Sequence, residues 1–228
     1  MQTRAYWNRG EHTTDTEFTP YLLRHGRRMH KLLRIICRVE FPDRIDIPSD
    51  RPIIFVANHR SFLDIAVASA LFAHLELSCR FQVQARMFDR GVVGVWLTKL
   101  GCIPTNKAVS QQAEDTSVKT LDEGHTIAIM PEGRLVPPAD RPTGVGPGRP
   151  GLSRIARRAN AVAVPVACCG TEKVWPRGRP IPRLGLLRRA TVSVEFGEPI
   201  EFRGNDHQRN VDEVMDAIAL ILTRRDGR

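Results

Sequence analysis

Short apolar segments that alternate with helix-length segments are the feature that most constrains this fold. Residues 52–57, 126–130 and 162–168 are nearly continuous apolar runs of strand length, as expected of strands that are buried on both faces of a parallel sheet. A helical pattern follows the first run, over 61–75. Strands that are joined by helices form largely parallel sheets. The sequence therefore predicts a single α/β domain with a mostly parallel central sheet flanked by helices.

Weaker patterns predict the remaining elements of this domain. They are strands at 77–85 and 191–196, a short strand or turn at 101–104, and helices at 88–100, 109–122, 152–159 and 211–222. Two loops rich in Pro, Gly and Arg, at 135–151 and 170–189, interrupt these elements. No linker is long enough to join a second large domain, so we expect one folded unit over 46–228.

The N-terminal part differs in composition from this unit. Residues 1–19 predict a flexible tail, and 20–45 predict a basic amphipathic segment that associates with a membrane, helical over 20–41. At about 100° per residue the helix has an apolar face and an opposite basic face. The apolar face comprises Leu22, Met29, Leu33 and Ile36, and the basic face Arg24, Arg27, Arg28, Lys31, Arg34 and Arg38. The alternative is a surface helix whose apolar face packs on the core.

The chain is strongly basic, with 34 Lys and Arg residues against 25 Asp and Glu and a formal net charge of +9. This charge favours an anionic partner, such as a phosphate group, an anionic lipid, an acyl carrier or a nucleic acid. We expect no nucleic acid, because no nucleic-acid motif is present and only 6% of residues are aromatic. The segment 173–189 contains no acidic residue and offers either a second basic surface or a solvated loop.

Cysteine usage and hydropathy limit the compartment. Five cysteines without a C-x-x-C pair argue against a disulfide framework and a zinc site, so we expect reduced thiols and no metal. The N-terminal residues lack the apolar core of a signal peptide. The longest apolar runs, at 65–73 and 161–169, reach about half of the ~20 residues that a transmembrane helix needs. These features predict a cytoplasmic protein that lies on a membrane at most.

The segment 58–64, Asn-His-Arg-Ser-Phe-Leu-Asp, carries the strongest chemical signal. It lies between the first predicted strand and its helix, where ligand sites of α/β proteins form. There, His59 can take a proton from a substrate hydroxyl at neutral pH. Asp64 follows in the first helical turn and can fix the imidazole tautomer. Ser61 and Asp64 also have the spacing of a helix capping box, and the two roles are compatible.

The segment 131–134, Pro-Glu-Gly-Arg, follows another predicted strand. Gly133 permits a tight turn and close approach of a ligand. Arg134 can bind phosphate with two parallel hydrogen bonds, and Glu132 can hold that arginine or a substrate hydroxyl. By themselves these four residues favour an ordinary turn at a strand end.

Two further segments give weaker signals. Gly101 begins a turn that ends at the cation of Lys107, which is a possible phosphate contact. Pro165 interrupts the apolar strand at 162–168 and cannot donate to a ladder. This predicts a sheet edge or a bulge beside a pocket.

In order and spacing these four segments resemble the glycerophospholipid acyltransferase family, which includes 1-acylglycerol-3-phosphate O-acyltransferases. Two positions depart from its pattern: Lys107 replaces an Arg, and Arg134 follows Gly133 directly, where the family has Thr or Asn first. In the family both positions bind the acceptor phosphate. The matching positions are Asn58, His59, Ser61 and Asp64 in the first block, Gly101 and Lys107 in the second, Glu132, Gly133 and Arg134 in the third, and Pro165 in the fourth.

The resemblance implies that 46–228 is an acyltransferase domain. It would transfer an acyl group from acyl-CoA or acyl-ACP to the free hydroxyl of lysophosphatidate, giving phosphatidate in phospholipid synthesis. His59 would act as general base and Asp64 would orient it, without an acyl-enzyme, a metal or a bound cofactor. The partners would be the thioester donor, a phosphate-bearing lysolipid acceptor and an anionic membrane surface at the cytoplasmic face of the cell. The substrate-binding residues would be Asn58, Ser61, Gly101, Lys107, Glu132, Gly133, Arg134 and Pro165.

Other activities stay open at this point. The acceptor can be glycerol 3-phosphate or another lysolipid. A thioesterase or esterase would need a nucleophile, either Ser61 or one of Cys168 and Cys169. No G-x-S-x-G turn is present, and an apolar strand raises the pKa of a thiol. A membrane-binding protein without catalysis would have no need of both His59 and Asp64.

Overall fold

Helices and strands alternate along the chain in the computed structural model, which describes residues 18–48, 50–106, 110–183 and 189–226. Two short 3₁₀ turns, Ala85–Met87 and Pro138–Asp140, lie in loops. The main elements are α1 (Phe18–Ile36), β1 (Arg38–Glu40), β2 (Ile53–Ala57), α2 (Asp64–His74), β3 (Cys79–Gln84), α3 (Gly91–Lys99), β4 (Ile103–Thr105), α4 (Ser110–Asp122), β5 (Thr126–Ile129), α5 (Gly151–Arg158), β6 (Val162–Cys169), α6 (Thr171–Val174), β7 (Thr191–Phe196) and α7 (His207–Asp226).

The seven strands form one sheet in the order β1-β7-β6-β2-β5-β3-β4. Strands β2 to β6 run in the same direction. Strand β7 is antiparallel to β6, and β1 is parallel to β7. The predicted mostly parallel sheet is therefore confirmed, with two reversed strands at one side.

Strand β2 lies at the centre of the sheet and is buried on both faces. Ile53 and Phe55 pack into a cluster with residues of α1, α2 and α3. Ile54 and Val56 face the other way and pack with residues of α4, α5 and α7. This alternation explains the continuous apolar run in the sequence, because a strand that is covered on both sides needs apolar residues at every position. The predicted helices on both faces are present.

Helix α1 packs on α2 through part of its predicted apolar face, since Leu22 and Leu33 are buried. It ends at Ile36, so the prediction of helix to residue 41 is wrong at that end. Residues 38–40 instead form β1, whose backbone pairs with β7 some 150 residues later in the chain. Helical periodicity cannot reveal such a distant partner.

Only part of the remaining N-terminal predictions falls on residues that the structure describes. Of the predicted tail at 1–19, residues 1–17 lie outside the described residues, and 18–19 already belong to α1. Within the described ranges, no helix has the length and apolar character that crossing a bilayer requires.

Pro165 lies in an inner strand, so its predicted position at a sheet edge is wrong. Strand β6 has β2 on one side and β7 on the other. The ladder to β7 begins only at Val166, and the Pro165 carbonyl accepts a hydrogen bond from the Gly197 N–H at 2.8 Å. Because β7 has already ended there, the missing N–H of the proline removes no bond from that ladder.

The close contact of α1 with α2 at Gly26 gives a stability prediction. A Cβ atom at this position would overlap the Ser69 carbonyl oxygen and the Ala73 Cβ. Replacing glycine by alanine stabilises an unhindered helix by about 0.5–1 kcal/mol. We expect Gly26→Ala to lower the free energy of unfolding instead, by about 1–3 kcal/mol, because overpacking pushes the two helices apart.

Urea denaturation measures this difference. The exposed Arg24→Ala on the same helix is the control and should change the unfolding free energy by less than about 0.5 kcal/mol. A Gly26→Ala protein as stable as the wild type would contradict the close packing.

Candidate active site

The carboxyl ends of β6, β2 and β5 meet at one edge of the sheet and carry the predicted motifs. The buried side chain of Asn58, directly after β2, binds the backbone of Cys168 in β6. Its Nδ2 donates to the Cys168 carbonyl at 2.9 Å, and its Oδ1 accepts from the Cys168 N–H at 2.8 Å. Asn58 therefore ties the end of β2, where the turn with His59 begins, to the neighbouring strand β6.

His59 and Asp64 form a hydrogen-bonded dyad. The His59 Nδ1 lies 2.8 Å from Asp64 Oδ2. Because a carboxylate only accepts, Nδ1 carries the proton and Nε2 keeps its lone pair. The His59 side chain is 18% exposed and Asp64 only 2%. Nε2 is therefore the atom that can accept a proton from an incoming hydroxyl.

Asp64 also holds the turn that precedes α2. Its Oδ2 accepts from the backbone N–H groups of Arg60 at 2.8 Å and Ser61 at 2.9 Å. The Ser61 hydroxyl does not complete a capping box, because it accepts from the Leu63 N–H at 3.1 Å and not from Asp64. One carboxylate thus serves both the local backbone and the imidazole, but only the Asp64 half of the predicted capping box is present.

Neither Ser61 nor Cys168 is arranged as the nucleophile of a hydrolase. Ser61 is fully buried, and its hydroxyl donates to the Trp175 carbonyl at 2.7 Å. Cys168 is buried in β6, and this burial raises the pKa of its thiol well above the ordinary value. Both side chains therefore have structural partners and surroundings.

Glu132 and Gly133 form the tight turn after β5. Gly133 has a φ of +65°, and its N–H donates to the Met130 carbonyl at 3.0 Å. The buried Glu132 carboxylate accepts from the Gly146 N–H at 3.0 Å. Burial raises the pKa of Glu132, while the Gly146 N–H, the His59 imidazole and the His59 backbone N–H oppose this shift. Glu132 thus fastens the 135–150 loop beside His59, and the expectation that it holds Arg134 is wrong.

Three predicted binding positions are not assembled with the dyad. The Arg134 side chain is 54% exposed and lies 3.8 Å from Asp140. Gly101 precedes the parallel strand β4 and so lies near the amino ends of the strands, away from the dyad. Pro165 is buried within β6. Lys107 lies outside the described residues. The positions that do come together are Asn58, His59, Ser61, Asp64, Glu132 and Gly133.

A network of guanidinium and carboxylate groups around the dyad was not anticipated. The buried Arg60 donates through Nε and Nη2 to the Gly144 carbonyl at 3.2 and 2.9 Å, and its Nη1 lies 3.5 Å from Glu172. Arg141 is half-buried nearby, where desolvation and the charge of Arg60 lower its pKa, while Glu172, Glu132 and Asp64 oppose this. Arg60 belongs to the 58–64 segment, which the sequence already indicates as functional. Arg141 and Glu172 lie in segments without periodicity, so the sequence gives no signal for them.

No group of three or more His, Cys, Asp and Glu side chains within the described residues is placed to hold a metal ion.

Comparisons with known proteins agree on one family. The sequence model of the family described as Acyltransferase matches residues 38–169. The "1-acyl-sn-glycerol-3-phosphate acyltransferase BAT2, chloroplastic" of Brassica napus is 27% identical over 174 residues, which cover 75% of this chain and 46% of that protein. The "Probable 1-acyl-sn-glycerol-3-phosphate acyltransferase" of Mycoplasma genitalium is 25% identical over 182 residues, covering 76% and 66%. The chain thus spans about half the length of the plant relative.

A solved structure shares the fold. The crystal structure of the "1-acyl-sn-glycerophosphate (LPA) acyltransferase, PlsC", from Thermotoga maritima matches with a TM-score of 0.72. The match covers 92% of this chain and 80% of that one at 21% identity. At this identity the likeness concerns the fold.

The raised pKa of Glu132 predicts a pH-dependent contribution to stability. Because the folded protein binds this proton more tightly than the unfolded chain, the contribution is greatest below the ordinary pKa of 4.5 and is lost as the pH rises through the folded value. Glutamine cannot ionise. We therefore expect the stability of Glu132→Gln relative to the wild type to increase from about pH 4 to about pH 7.

Chemical denaturation at several pH values measures this trend, with the exposed Glu213→Gln on α7 as the control. A difference between Glu132→Gln and wild type that does not vary with pH would contradict the shift.

Proposed function

Because this chain belongs to the acyltransferase family, we propose that it transfers an acyl group from a thioester donor to the free hydroxyl of lysophosphatidate, giving phosphatidate. The observation that carries this proposal is the His59–Asp64 dyad, whose free Nε2 lies at the carboxyl edge of the sheet. The names of the relatives, which specify 1-acyl-sn-glycerol-3-phosphate, support this acceptor. The reaction would serve phospholipid synthesis.

The dyad supplies the proton transfer. Nε2 of His59 takes the proton of the acceptor hydroxyl as its oxygen attacks the thioester carbonyl. Asp64 stabilises the imidazolium that forms and keeps the ring in position. When the tetrahedral intermediate collapses, the carbon–sulfur bond breaks and His59 returns the proton to the leaving thiolate of coenzyme A or acyl carrier protein. The structural roles of Ser61 and Cys168 favour this direct transfer over an acyl-enzyme.

The test is thiol release from palmitoyl-coenzyme A by the purified protein, with and without lysophosphatidate. We expect release that requires the acceptor. His59→Ala should lower kcat by about 10²- to 10⁴-fold because the general base is lost. Asp64→Asn should also lower kcat, because the imidazole loses its orienting carboxylate.

His74→Ala is the matched control, since His74 lies at the far end of α2 from Asp64 and should leave kcat unchanged. Release without any acceptor would indicate a thioesterase and overturn the proposal. Release that needs glycerol 3-phosphate in place of lysophosphatidate would keep the transferase and change the acceptor.

A second proposal is that α1 and α3 dock the protein on anionic lipid as a peripheral protein at the cytoplasmic face of the membrane. The two helices touch where Trp96 Nε1 donates to His25 Nε2 at 2.8 Å. Each presents apolar side chains with more than half of their surface exposed, at Leu32 and Ile35 of α1 and Val92 and Val95 of α3. Such side chains among basic residues suit a lipid surface.

The basic loop at 173–189 supports this docking surface. Residues 184–188 lie outside the described residues. Arg189 donates through Nη1 to the Arg34 carbonyl at 3.0 Å, so the end of the loop meets the end of α1. Each cation near an anionic surface contributes about 1 kcal/mol of attraction. The basic faces of loop and helix therefore support binding to the same membrane.

Sedimentation with vesicles that contain phosphatidylglycerol tests the docking surface. We expect the double variant Ile35→Glu, Val92→Glu to lose most of the bound fraction, because two apolar contacts become charges that the lipid repels. Leu220→Glu, on the exposed face of α7, is the control and should bind like the wild type. A double variant that binds vesicles as well as the wild type would exclude this docking surface.

A further inference from the structure

We infer that Arg149 binds the phosphate group of the acceptor, in the role that the family resemblance gives to Arg134. The assignment rests on the proposed function for the identity of its ligand. It is carried by the position of the Arg149 guanidinium and by its lack of a protein partner.

Arg149 returns from the 135–150 loop to lie beside the Pro-Glu-Gly turn. Its backbone N–H donates to the Pro131 carbonyl at 3.1 Å. Its side chain lies over Gly133, where a Cβ atom would come within 3.0 Å of the Arg149 Cζ and 3.2 Å of its Nε and Nη1. The absence of a side chain at Gly133 therefore leaves the space that the guanidinium occupies.

This position is at the same end of the sheet as the dyad. Gly133 follows Glu132, whose carboxyl group lies close enough to His59 for the imidazole and the backbone N–H to affect its pKa. The guanidinium is thus brought to the same sheet edge as Nε2 of His59. A ligand that contacts both needs an anionic group and a hydroxyl close together.

Arg149 is also free to bind an anion. Among the described residues, no hydrogen bond or ion pair engages its guanidinium, and the side chain is exposed. Two other arginines near the site differ in this respect, since Arg60 is bound to Gly144 and Glu172, and Arg134 is next to Asp140. The Arg141 Nη1 is buried without a hydrogen-bond partner, and this side chain is half-buried among the carboxylates of Glu132, Glu172 and Asp64, so it is not open to solvent. A guanidinium that is open to solvent can form two parallel hydrogen bonds with a phosphate.

Both substrates carry phosphate, but the acceptor fits a site that offers a guanidinium and a proton acceptor at the same end of the sheet better than the donor does. In lysophosphatidate the free hydroxyl and the phosphate are on neighbouring glycerol carbons. The phosphates of coenzyme A are separated from the thioester by the whole pantetheine arm. A cation at the same end of the sheet as His59 therefore suits the acceptor phosphate, because the neighbouring hydroxyl can reach Nε2 at the same time.

The kinetic test compares Arg149→Met and Arg149→Lys with the wild type. We expect Arg149→Met to raise KM for lysophosphatidate by about 10- to 100-fold, as the loss of charged hydrogen bonds predicts. KM for palmitoyl-coenzyme A and kcat should stay within about twofold, because the dyad is intact. Arg149→Lys should recover part of the loss, since it keeps the charge without the fork.

Arg203→Met is the control. Arg203 is exposed, pairs with Glu201 at 3.7 Å and follows the bridge of Ile200 to Ala163 near the start of β6, at the opposite edge of the sheet. An unchanged acceptor KM in Arg149→Met would overturn the assignment. So would a rise confined to KM for palmitoyl-coenzyme A, which would place the donor phosphates there.

A binding measurement separates this assignment from the proposed function. Lysophosphatidate and monoacylglycerol of the same chain length, presented in identical detergent micelles, are titrated against the protein without donor. We expect the wild type to prefer the phosphate-bearing lipid and Arg149→Met to lose that preference. A wild type without preference, or a variant that retains it, would overturn the assignment. A preference that depends on Arg149 in a protein without acyl transfer would overturn the proposed function and leave this site standing.

Discussion

The buried carboxylate of Asp64 is the constraint on which the active edge of this protein depends. A buried charge is costly unless hydrogen bonds satisfy it. Here a single oxygen accepts from the His59 imidazole and from the backbone N–H groups of Arg60 and Ser61. The contacts that stabilise the start of α2 therefore also fix the ring. Folding of the turn therefore also orients the imidazole that we propose as the general base.

The second determinant is a long loop that polar contacts hold in place. Residues 135–150 contain only one 3₁₀ turn, yet Glu132 binds Gly146, Arg60 binds Gly144, and Arg149 binds Pro131. Gly148 packs close to Val211 and Met215 of α7. Three of these contacts come from the motif segments 58–64 and 131–134 themselves. The loop is thus positioned by the same residues that surround the dyad.

Much of the architecture can be predicted from the sequence, because strands that are buried on both faces are continuous apolar runs. The apolar runs at 52–57, 126–130 and 162–168 coincide closely with β2, β5 and β6. Strand β1 was missed because three residues carry no period, and their partner β7 is distant in the chain. Pro165 was misplaced because a rule about ladder bonds does not reveal where a neighbouring strand ends.

The candidate site is likewise predictable from the sequence only in part. Motif spacing predicted the pairing of His59 with Asp64, since both belong to one turn and the helix that follows it. The inward orientation of Glu132 and the approach of Arg149 to Gly133 depend on how an irregular loop closes, which spacing does not encode. Lys107 lies outside the described residues, so its role stays a prediction.

The closure of the loop at Pro131 has a consequence for how such a chain can diverge. Arg149 is eighteen positions beyond Pro131, to which its backbone is bound, and the loop between them is held at Gly144 and Gly146. The His59–Asp64 dyad, to which we assign the proton transfer, lies outside this loop, between the end of β2 and the start of α2. With the roles proposed above, headgroup selection and acyl transfer are carried by different segments of one scaffold, so the first can change while the second is kept.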